Sequence, residues 1–312
     1  MLTSVIIPTF RRPEGVELAV KSVMAQTRLP GEVVVVDNCP QASAQTVIAR
    51  LTETSPVPLI YHHEPEAGVA NARNAGLARA RGRMIAFLDD DEIARPHWLS
   101  ALLDTRESLD VDVVFGPLSA VVQGELPRHQ RALAERLYSR IGPQRDARLD
   151  KPFGCGNSLI DRGTLPIAKA PFNPALNETG GEDDDFFDQL ERAGARFGWS
   201  AAALAYECVP PSRIRWRYLM TRSFSFGQGP SQACARSRPV QRLGVARWML
   251  IGLAQMMVFG PLTVVGWVFG LSKTAEWLDR TAQGAGKIFW WDQFEPRLYG
   301  NAAINTPADH PA

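Results

Sequence analysis

The chain has 312 residues, 45% of them hydrophobic and 21% charged, enough to bury a large core as one big domain or two smaller ones. Its 34 basic and 33 acidic side chains leave a formal charge of +1, which argues against a general nucleic-acid binder and leaves only local charged patches. The cysteines Cys39, Cys155, Cys208 and Cys234 are scattered, with no Cys-x-x-Cys pair or histidine at zinc-ligand spacing, so they read as buried thiols in a reducing compartment.

In chain order, the N-terminus enters Ser4-Val5-Ile6-Ile7 without a basic region followed by a signal-length apolar stretch, which predicts a cytoplasmic location. That run predicts a short strand stopped by Pro8. Pro13 then opens a helix whose Val16, Val20 and Val23 recur at helical spacing, ended by Leu29-Pro30-Gly31. Val33 to Val36 reads as a strand buried on both faces, running to Asp37-Asn38. A helix from Ala42 to Leu51, a strand from Leu59 to His62 and an alanine- and arginine-rich helix from Val69 to Ala80 follow. This alternation implies an α/β fold with a Rossmann-like, largely parallel central sheet and crossover helices. No Gly-x-Gly-x-x-Gly follows the first strand and no phosphate loop appears, so dinucleotide and P-loop readings are weak.

The next strand, Met84 to Leu88, runs straight into Asp89-Asp90-Asp91-Glu92. A buried strand would deliver these carboxylates at its C-terminal end, where α/β folds place ligands. Like charges so close repel, and a site that keeps them ionised supplies a cation; all-oxygen ligands suit Mg²⁺ or Mn²⁺, which would most naturally meet a diphosphate. The plainer reading is an acidic turn before the helix that begins near Pro96.

Beyond Asp110 the pattern changes. Val111 to Phe115 and Leu118 to Val122 are strand-like, and the arginine-rich segment Pro127 to Arg148 reads as helix and loop. Phe153-Gly154-Cys155-Gly156-Asn157 leads into a strand through Ile160; such a loop lets backbone approach a ligand closely, or is simply a β-turn. A second acidic cluster, Gly180-Gly181-Glu182-Asp183-Asp184-Asp185, precedes Phe186, Phe187 and Leu190 at helical spacing. Alone it is ordinary helix capping. Paired with the first cluster it suggests one carboxylate set for a metal-diphosphate and a separate carboxylate to accept a proton across a cleft.

Five segments, taken together and in order, resemble the motif set of glycosyltransferase family 2. They are Ser4-Val5-Ile6-Ile7-Pro8-Thr9-Phe10, Val33-Val34-Val35-Val36-Asp37-Asn38, Gly68-Val69-Ala70-Asn71-Ala72-Arg73-Asn74-Ala75-Gly76, Leu88-Asp89-Asp90-Asp91 and Gly181-Glu182-Asp183. The resemblance covers roughly residues 3 to 230. It implies a GT-A fold, a nucleotide-diphosphate sugar donor, a Mg²⁺ or Mn²⁺ ion, and inversion at the anomeric carbon. Carried over by position, Pro8, Thr9 and Arg11 line the nucleotide pocket, Asp37 hydrogen-bonds the base, and Arg73 lies near the nucleotide or its diphosphate. Asp89 matches the first aspartate of the Asp-x-Asp motif, near ribose or metal; Asp90 belongs with the donor-binding set; Asp91 matches the metal-binding second aspartate. Asp183 matches the catalytic base, with a one-residue ambiguity inside its acidic run, and Glu182 orients the loop or binds acceptor. Many similar members carry a metal-ligating histidine before a Val-Pro-Pro segment. Here Glu207 stands in that place, as a third ligand or a solvated acid.

Arg213 to Gly229 mixes cations with aromatics; as a helix it puts Arg215, Leu219 and Arg222 on one face, suited to a diphosphate or an anionic, lipid-linked acceptor. Trp248 to Ser272 is a run of 25 residues without a charge, long enough to span a bilayer. Gly260-Pro261 could split it into two short helices in a re-entrant or interfacial hairpin, and a buried soluble hairpin is the remaining alternative. Trp290-Trp291 and Phe294 suit an interfacial belt or a packing tail, and Asn301 to Ala312 reads as disordered. The resulting expectation has four parts: a donor-binding half over 1–115, an acceptor-binding half over 116–235, a helical membrane-associated region over 236–300 and a tail over 301–312. Its function would be sugar transfer to a glycan or lipid-linked acceptor at the cytoplasmic face of the membrane, without nucleic acid as a partner. The competing classes are a sugar-phosphate nucleotidylyltransferase, which lacks its glycine-rich Lys/Arg loop here, and a non-catalytic sugar-nucleotide or membrane-binding module, which would not need both acidic clusters.

Overall fold

A computed structural model describes residues 1–296; the tail expected over 301–312 lies outside the described residues. The chain forms two compact units, one of residues 1–119 and 139–208, the other of residues 120–138 and 209–296.

The first unit opens with β1 (Thr3–Thr9), α1 (Pro13–Met24), β2 (Glu32–Asp37), α2 (Gln45–Thr52), β3 (Leu59–His63), α3 (Val69–Arg79) and β4 (Met84–Phe87). After β5 (Glu92–Ala94), α4 (Trp98–Leu109) and β6 (Val113–Phe115), the chain passes through β7 (Leu118–Val122) into α5 (Arg128–Tyr138) of the second unit. It returns for β8 (Ala147–Leu149), β9 (Ser158–Asp161), α6 (Glu182–Arg192), β10 (Phe197–Trp199) and β11 (Ala205–Val209). The main sheet has the order β3-β2-β1-β4-β9-β6-β10-β8.

Strands β1 to β4 are mutually parallel, as the alternating pattern implies. The second half departs from it, because β9 runs antiparallel to both of its neighbours, β4 and β6, and makes the sheet mixed. Both faces are covered. Val5, Ile7, Val33, Val35 and Ala86 pack towards α1, α2 and α4, while Ile6, Val34, Val36, Ile85 and Phe87 pack towards α3 and α6. This two-sided burial explains the unbroken apolar runs. Each such valine, isoleucine or phenylalanine side chain contributes about 1.5–3 kcal/mol.

Pro8 does not stop the first strand. The Ile6 carbonyl accepts from Leu88 N–H on the β4 side, and the Thr9 carbonyl accepts from Asn38 N–H on the β2 side. By alternation the missing Pro8 N–H faces β4, whose pairing with β1 has already ended at Phe87, so no ladder bond is lost.

The second unit is helical: α5 with α7 (Trp216–Arg236) and α9 (Thr274–Ile288) around Leu133, Leu137, Ile214, Leu219 and Ala275, and α8 (Arg242–Phe269) against α9. Gly260-Pro261 does not split the apolar stretch, since α8 is one helix of 28 residues ending at Gly270 in the left-handed region (φ 63°). Pro261 lies on the exposed side, while Gly252 and Gly266, on either side of it in sequence, are buried against α9. Packing on both sides of the proline carries the helix through a residue that would otherwise break it. Nor is the stretch a buried hairpin: Leu250, Met257 and Val264 are 67%, 69% and 65% exposed. The end of α9 is tied to α7, where Ser231 Oγ donates to the Lys287 carbonyl at 2.9 Å and Gln228 Nε2 to the Phe289 carbonyl at 2.8 Å, satisfying late carbonyls of the helix.

Candidate active site

The C-terminal ends of β1, β2 and β4 bring Thr9, Asp37 and Asp89 to one edge of the first unit. The turn after β1 is bound to the acidic run. Thr9 Oγ1 donates to Asp90 Oδ2 at 2.8 Å, Phe10 N–H to the same oxygen at 3.3 Å, and Arg12 Nη1 to Asp90 Oδ1 at 3.1 Å and Asp91 Oδ2 at 2.6 Å. Asp90 is therefore a buried knot between two loops. Pro8 is buried in β1, and Arg11, at a left-handed φ of 55°, lies over the Phe10 ring with 5.4 Å to its centroid. Asp37 is fully buried and accepts from Cys39 N–H, Ala44 N–H and Tyr61 Oη at 3.1, 2.7 and 3.1 Å, so its carboxylate shapes the loop after β2.

The second acidic cluster meets the first through Arg73. From α3 this buried guanidinium donates to Glu182 Oε1 and, at 3.4 Å, to Asp89 Oδ1. A second bridge is the loop Gly154–Asn157. Its Cys155 N–H donates to Asp183 Oδ2 at 3.1 Å, and the Asp183 Oδ1 atom accepts from Asp184 N–H at 3.0 Å. Asp183 is thus the aspartate of the run that this loop holds, while burial and repulsion from Asp183 and Asp188 raise Asp184 to about 7. A Cβ on Gly154 would stand 2.9 Å from Asp183 Oδ2; one on Gly156 would stand 2.6 Å from Asp89 Oδ2 and 2.5 Å from Glu92 Oε1. Both glycines thus serve close approach of backbone to carboxylate. Arg140 fixes the loop, donating from Nη1 to the Gly156 carbonyl at 2.7 Å and from Nη2 to the Gly154 carbonyl at 3.0 Å.

The electrostatics are those of crowded, desolvated acids. Burial, then repulsion from Asp89 and Glu207, pushes Glu92 well above the carboxylate range. Burial raises Asp89 against the pull of Arg73, raises Asp90 to about 6 against Arg12, and raises Glu182 to about 7 against Arg73. Glu207 sits opposite Glu92 in the β11–β5 register, and Cys208 N–H donates to the Asp91 carbonyl at 2.7 Å. Hard oxygen donors crowded with like charge suit Mg²⁺ or Mn²⁺. Yet among the described residues no three His, Cys, Asp or Glu side chains converge at ligand spacing. The expected set Asp89, Asp91 and Glu207 is not a preassembled cage: Asp91 turns to Arg12 and Asp89 to Arg73.

The sequence reading missed Arg12, Arg140 and the part Glu92 plays beneath Asp89, whose N–H donates to Glu92 Oε2 at 3.1 Å. The two glycines of Gly154-Cys155-Gly156 were the visible signal for the loop. All four cysteines are free; Cys39 and Cys155 are buried, Cys208 and Cys234 half-buried, and burial pushes the Cys155 thiol up.

Comparison with known proteins shows the family and the fold. The family described as Glycosyl transferase family 2 matches residues 4–165. The succinoglycan biosynthesis protein ExoM of Rhizobium meliloti (strain 1021) is 33% identical over 224 residues, covering 70% of this chain and 71% of ExoM. Glycosyltransferase AglE of Haloferax volcanii is 25% identical over 91% of this chain and 94% of its own. Among solved structures, S. aureus TarS 1–349 in complex with UDP superposes with a TM-score of 0.51 at 16% identity, covering 94% of this chain and 92% of that one. At that identity the likeness shows the fold, a GT-A-like α/β arrangement with a mixed central sheet.

Proposed function

We propose that this chain, which belongs to glycosyl transferase family 2 and is a glycosyltransferase, moves a sugar from a nucleotide-diphosphate donor to a hydroxyl acceptor by a single inverting displacement. The observation that carries the reading is the Gly154–Asn157 loop, which lies against Asp183 on one side and against Asp89 and Glu92 on the other. It spaces a candidate base from a candidate donor site. Asp183 takes the proton of the acceptor hydroxyl as that oxygen attacks the anomeric carbon from the face opposite the leaving diphosphate, and the C–O bond to the diphosphate breaks. Glu182 positions this turn through Arg73.

Pro8, Thr9 and Arg11 after β1 and Asp37 after β2 border the nucleotide, with Asp89 and Asp90 beside the ribose and diphosphate. Arg12 and Arg73 supply fixed positive charge on the diphosphate side. Asp91 and Asp89 are the carboxylates that would hold Mg²⁺ or Mn²⁺, with Glu207 as a further oxygen donor, and a bound ion there would offset charge on the departing diphosphate. The lack of a preassembled cage is compatible with this, because Mg²⁺ is commonly held by one or two carboxylates plus substrate phosphates.

The structure of TarS with UDP-GlcNAc, 18% identical with a TM-score of 0.50 over 92% of this chain, belongs to a protein of the same fold. ExoM is named for succinoglycan biosynthesis, and TuaG of Bacillus subtilis, 27% identical over 161 residues, as a putative teichuronic acid biosynthesis glycosyltransferase. These names support a glycan or lipid-linked glycan acceptor in cell-envelope polysaccharide assembly. The helix α8, long and apolar enough to cross a membrane and with a mean hydropathy of 1.8 over an 18-residue stretch, supports membrane association, and the side assigned to it in this reading is the cytoplasmic one.

The test is Asp183→Asn beside Asp184→Asn. A general base contributes ~10²–10⁴-fold to rate, so Asp183→Asn should cut transfer by that order and leave donor affinity within a few-fold. Asp184→Asn should be mild. Equal, small losses in both would reduce the turn to a helix cap; a large loss confined to Asp184 would move the base by one residue.

A further inference from the structure

The second unit carries an apolar surface that the transfer reaction does not use. On α8 the exposed side chains Leu250, Leu253, Met257, Val264 and Val268 recur at helical spacing on one face. The opposite face, through Gly252, Thr263 and Gly266, is buried, and its glycines meet α9: a Cβ on Gly252 would stand 2.5 Å from the Gly284 carbonyl, and one on Gly266 3.0 Å from the Trp277 ring. Contacts at both Gly252 and Gly266 hold α9 along about 21 Å of α8 at 1.5 Å per residue.

This pairing decides how α8 can meet a bilayer. Arg280 of α9 stacks on Phe259, near the middle of α8, with 5.1 Å to the ring centroid, and pairs with Glu276 at 2.9 Å. One residue from Arg280, Asp279 pairs with Arg136 of α5 at 2.7 Å. If α8 ran across the membrane, the level of Phe259, and with it these two ion pairs, would lie near the hydrocarbon centre, where charged side chains are strongly disfavoured. With α8 lying in the membrane plane, its outer face enters the headgroup and acyl boundary while α9 and its charges stay on the water side.

The rim of this face has the matching chemistry. Arg242 and Arg247 at one end of α8 and Lys273 beyond the other are exposed. Trp267, 51% exposed, lies between the rings of His129 and Trp216, with 5.4 Å to each centroid. Exposed cations at the two ends of an apolar helix and an amphipathic aromatic on its exposed side are what the headgroup level of a membrane favours.

We propose that the second unit docks on one leaflet of an anionic bilayer with α8 lying in the plane, its Leu250–Met257–Val264 face immersed and neither end crossing. The proposal rests on the membrane reading above and fixes its geometry. The first measurement floats the full chain with vesicles of phosphatidylcholine alone or containing phosphatidylglycerol. Flotation should need the anionic lipid, weaken with salt, and fall roughly tenfold or more in Met257→Glu, an exposed position whose change leaves the core intact. No flotation on either vesicle overturns the membrane reading itself. A stable dimer in solution that Met257→Glu dissociates assigns the face to a second copy of the chain and also overturns the proposal. The second measurement uses Gln241→Cys and Ser272→Cys, with Cys208 and Cys234 replaced by serine, in sealed inverted vesicles from bacteria expressing the chain. An impermeant maleimide should label both ends of α8. Labelling of one end alone means the helix spans, which overturns the in-plane geometry and leaves membrane association standing.

Discussion

The loop between the two acidic clusters gives the sharpest handle on the mechanism, because its two glycines touch different carboxylates. Neither Gly154 nor Gly156 has a positive φ, so space rather than backbone strain decides what alanine does there. In Gly156→Ala the new methyl would stand 2.6 Å from Asp89 Oδ2 and 2.5 Å from Glu92 Oε1, against ordinary contact from 3.4 Å. These oxygens must retreat by roughly 0.8–0.9 Å. Asp89 has Arg73 at 3.4 Å, and Glu92, 1% exposed, accepts from the Asp89 amide, so the shift passes into the donor side of the site. A displacement near 1 Å can cost ~10²-fold in rate, and overpacking costs about 1–3 kcal/mol of stability. Gly156→Ala should therefore lose transfer by about that factor together with affinity for a nucleoside diphosphate in Mn²⁺. Gly154→Ala presses only on Asp183 Oδ2, at 2.9 Å, and should lower turnover about tenfold while donor affinity stays within a few-fold. Gly229→Ala, with nothing within 4 Å of its Cβ, is the control and should change neither. Steady-state transfer and calorimetric titration of the diphosphate supply both numbers. If Gly154→Ala and Gly156→Ala lose the same quantity in the same proportion, or neither loses anything, the loop does not separate base from donor.

Three further outcomes follow from the site. Asp91→Ala should abolish the metal-dependent part of nucleoside diphosphate affinity; an unchanged difference between titrations with and without Mn²⁺ would remove Asp91 from the ion. Arg140→Lys replaces a fork that grips the Gly154 and Gly156 carbonyls at 3.0 and 2.7 Å, and with charged hydrogen bonds worth about 1.5–3 kcal/mol it should lower both melting temperature and turnover. A lower melting temperature with unchanged turnover would make the clamp purely structural. Burial holds Glu182 up at about 7, above its ordinary 4.5, so the folded chain keeps a proton there that the unfolded chain has released. That contribution to stability is full below about pH 4.5 and is lost as pH rises through about 7. Without metal or donor, the melting temperature should thus fall from about pH 5 to about pH 8. Glu182→Gln should make the decline shallower without removing it, because Asp184 at about 7 and Asp90 at about 6 are raised in the same direction, and an identical slope in the variant would show that Glu182 carries none of it.

The parallel half of the fold was legible because its strands are buried on both faces and leave unbroken apolar runs, Val33 to Val36 above all. Where local rules misled, tertiary context outweighed them. Pro8 sits in a strand because its absent donor points past the end of β4, and Pro261 sits in a helix because α9 supports the chain before and after it. Neither circumstance is visible within a few residues of the proline. The antiparallel β9 was hidden for a related reason: Ser158–Asp161 is too short for periodicity to report direction, which its pairing with β4 and β6 sets.

At the site, legibility followed charge sign. The acids stand in runs, Asp89 to Glu92 and Glu182 to Asp185, and like charges in sequence call for an explanation from any reader. Their counter-cations stand singly on separate stretches of chain. Arg12 follows the first strand, Arg73 lies on a helix otherwise rich in alanine, and Arg140 follows α5 in a segment with many arginines. Only the fold shows that Arg12 holds the Asp90–Asp91 end of the first run, Arg73 joins Asp89 to Glu182, and Arg140 fixes the loop between the clusters. Arg73 alone was identified, and it was identified from its place in a resembling motif. A folded site that concentrates negative charge draws compensation from wherever the topology can deliver a guanidinium, so acidic runs indicate that such partners exist without indicating where they lie in the sequence.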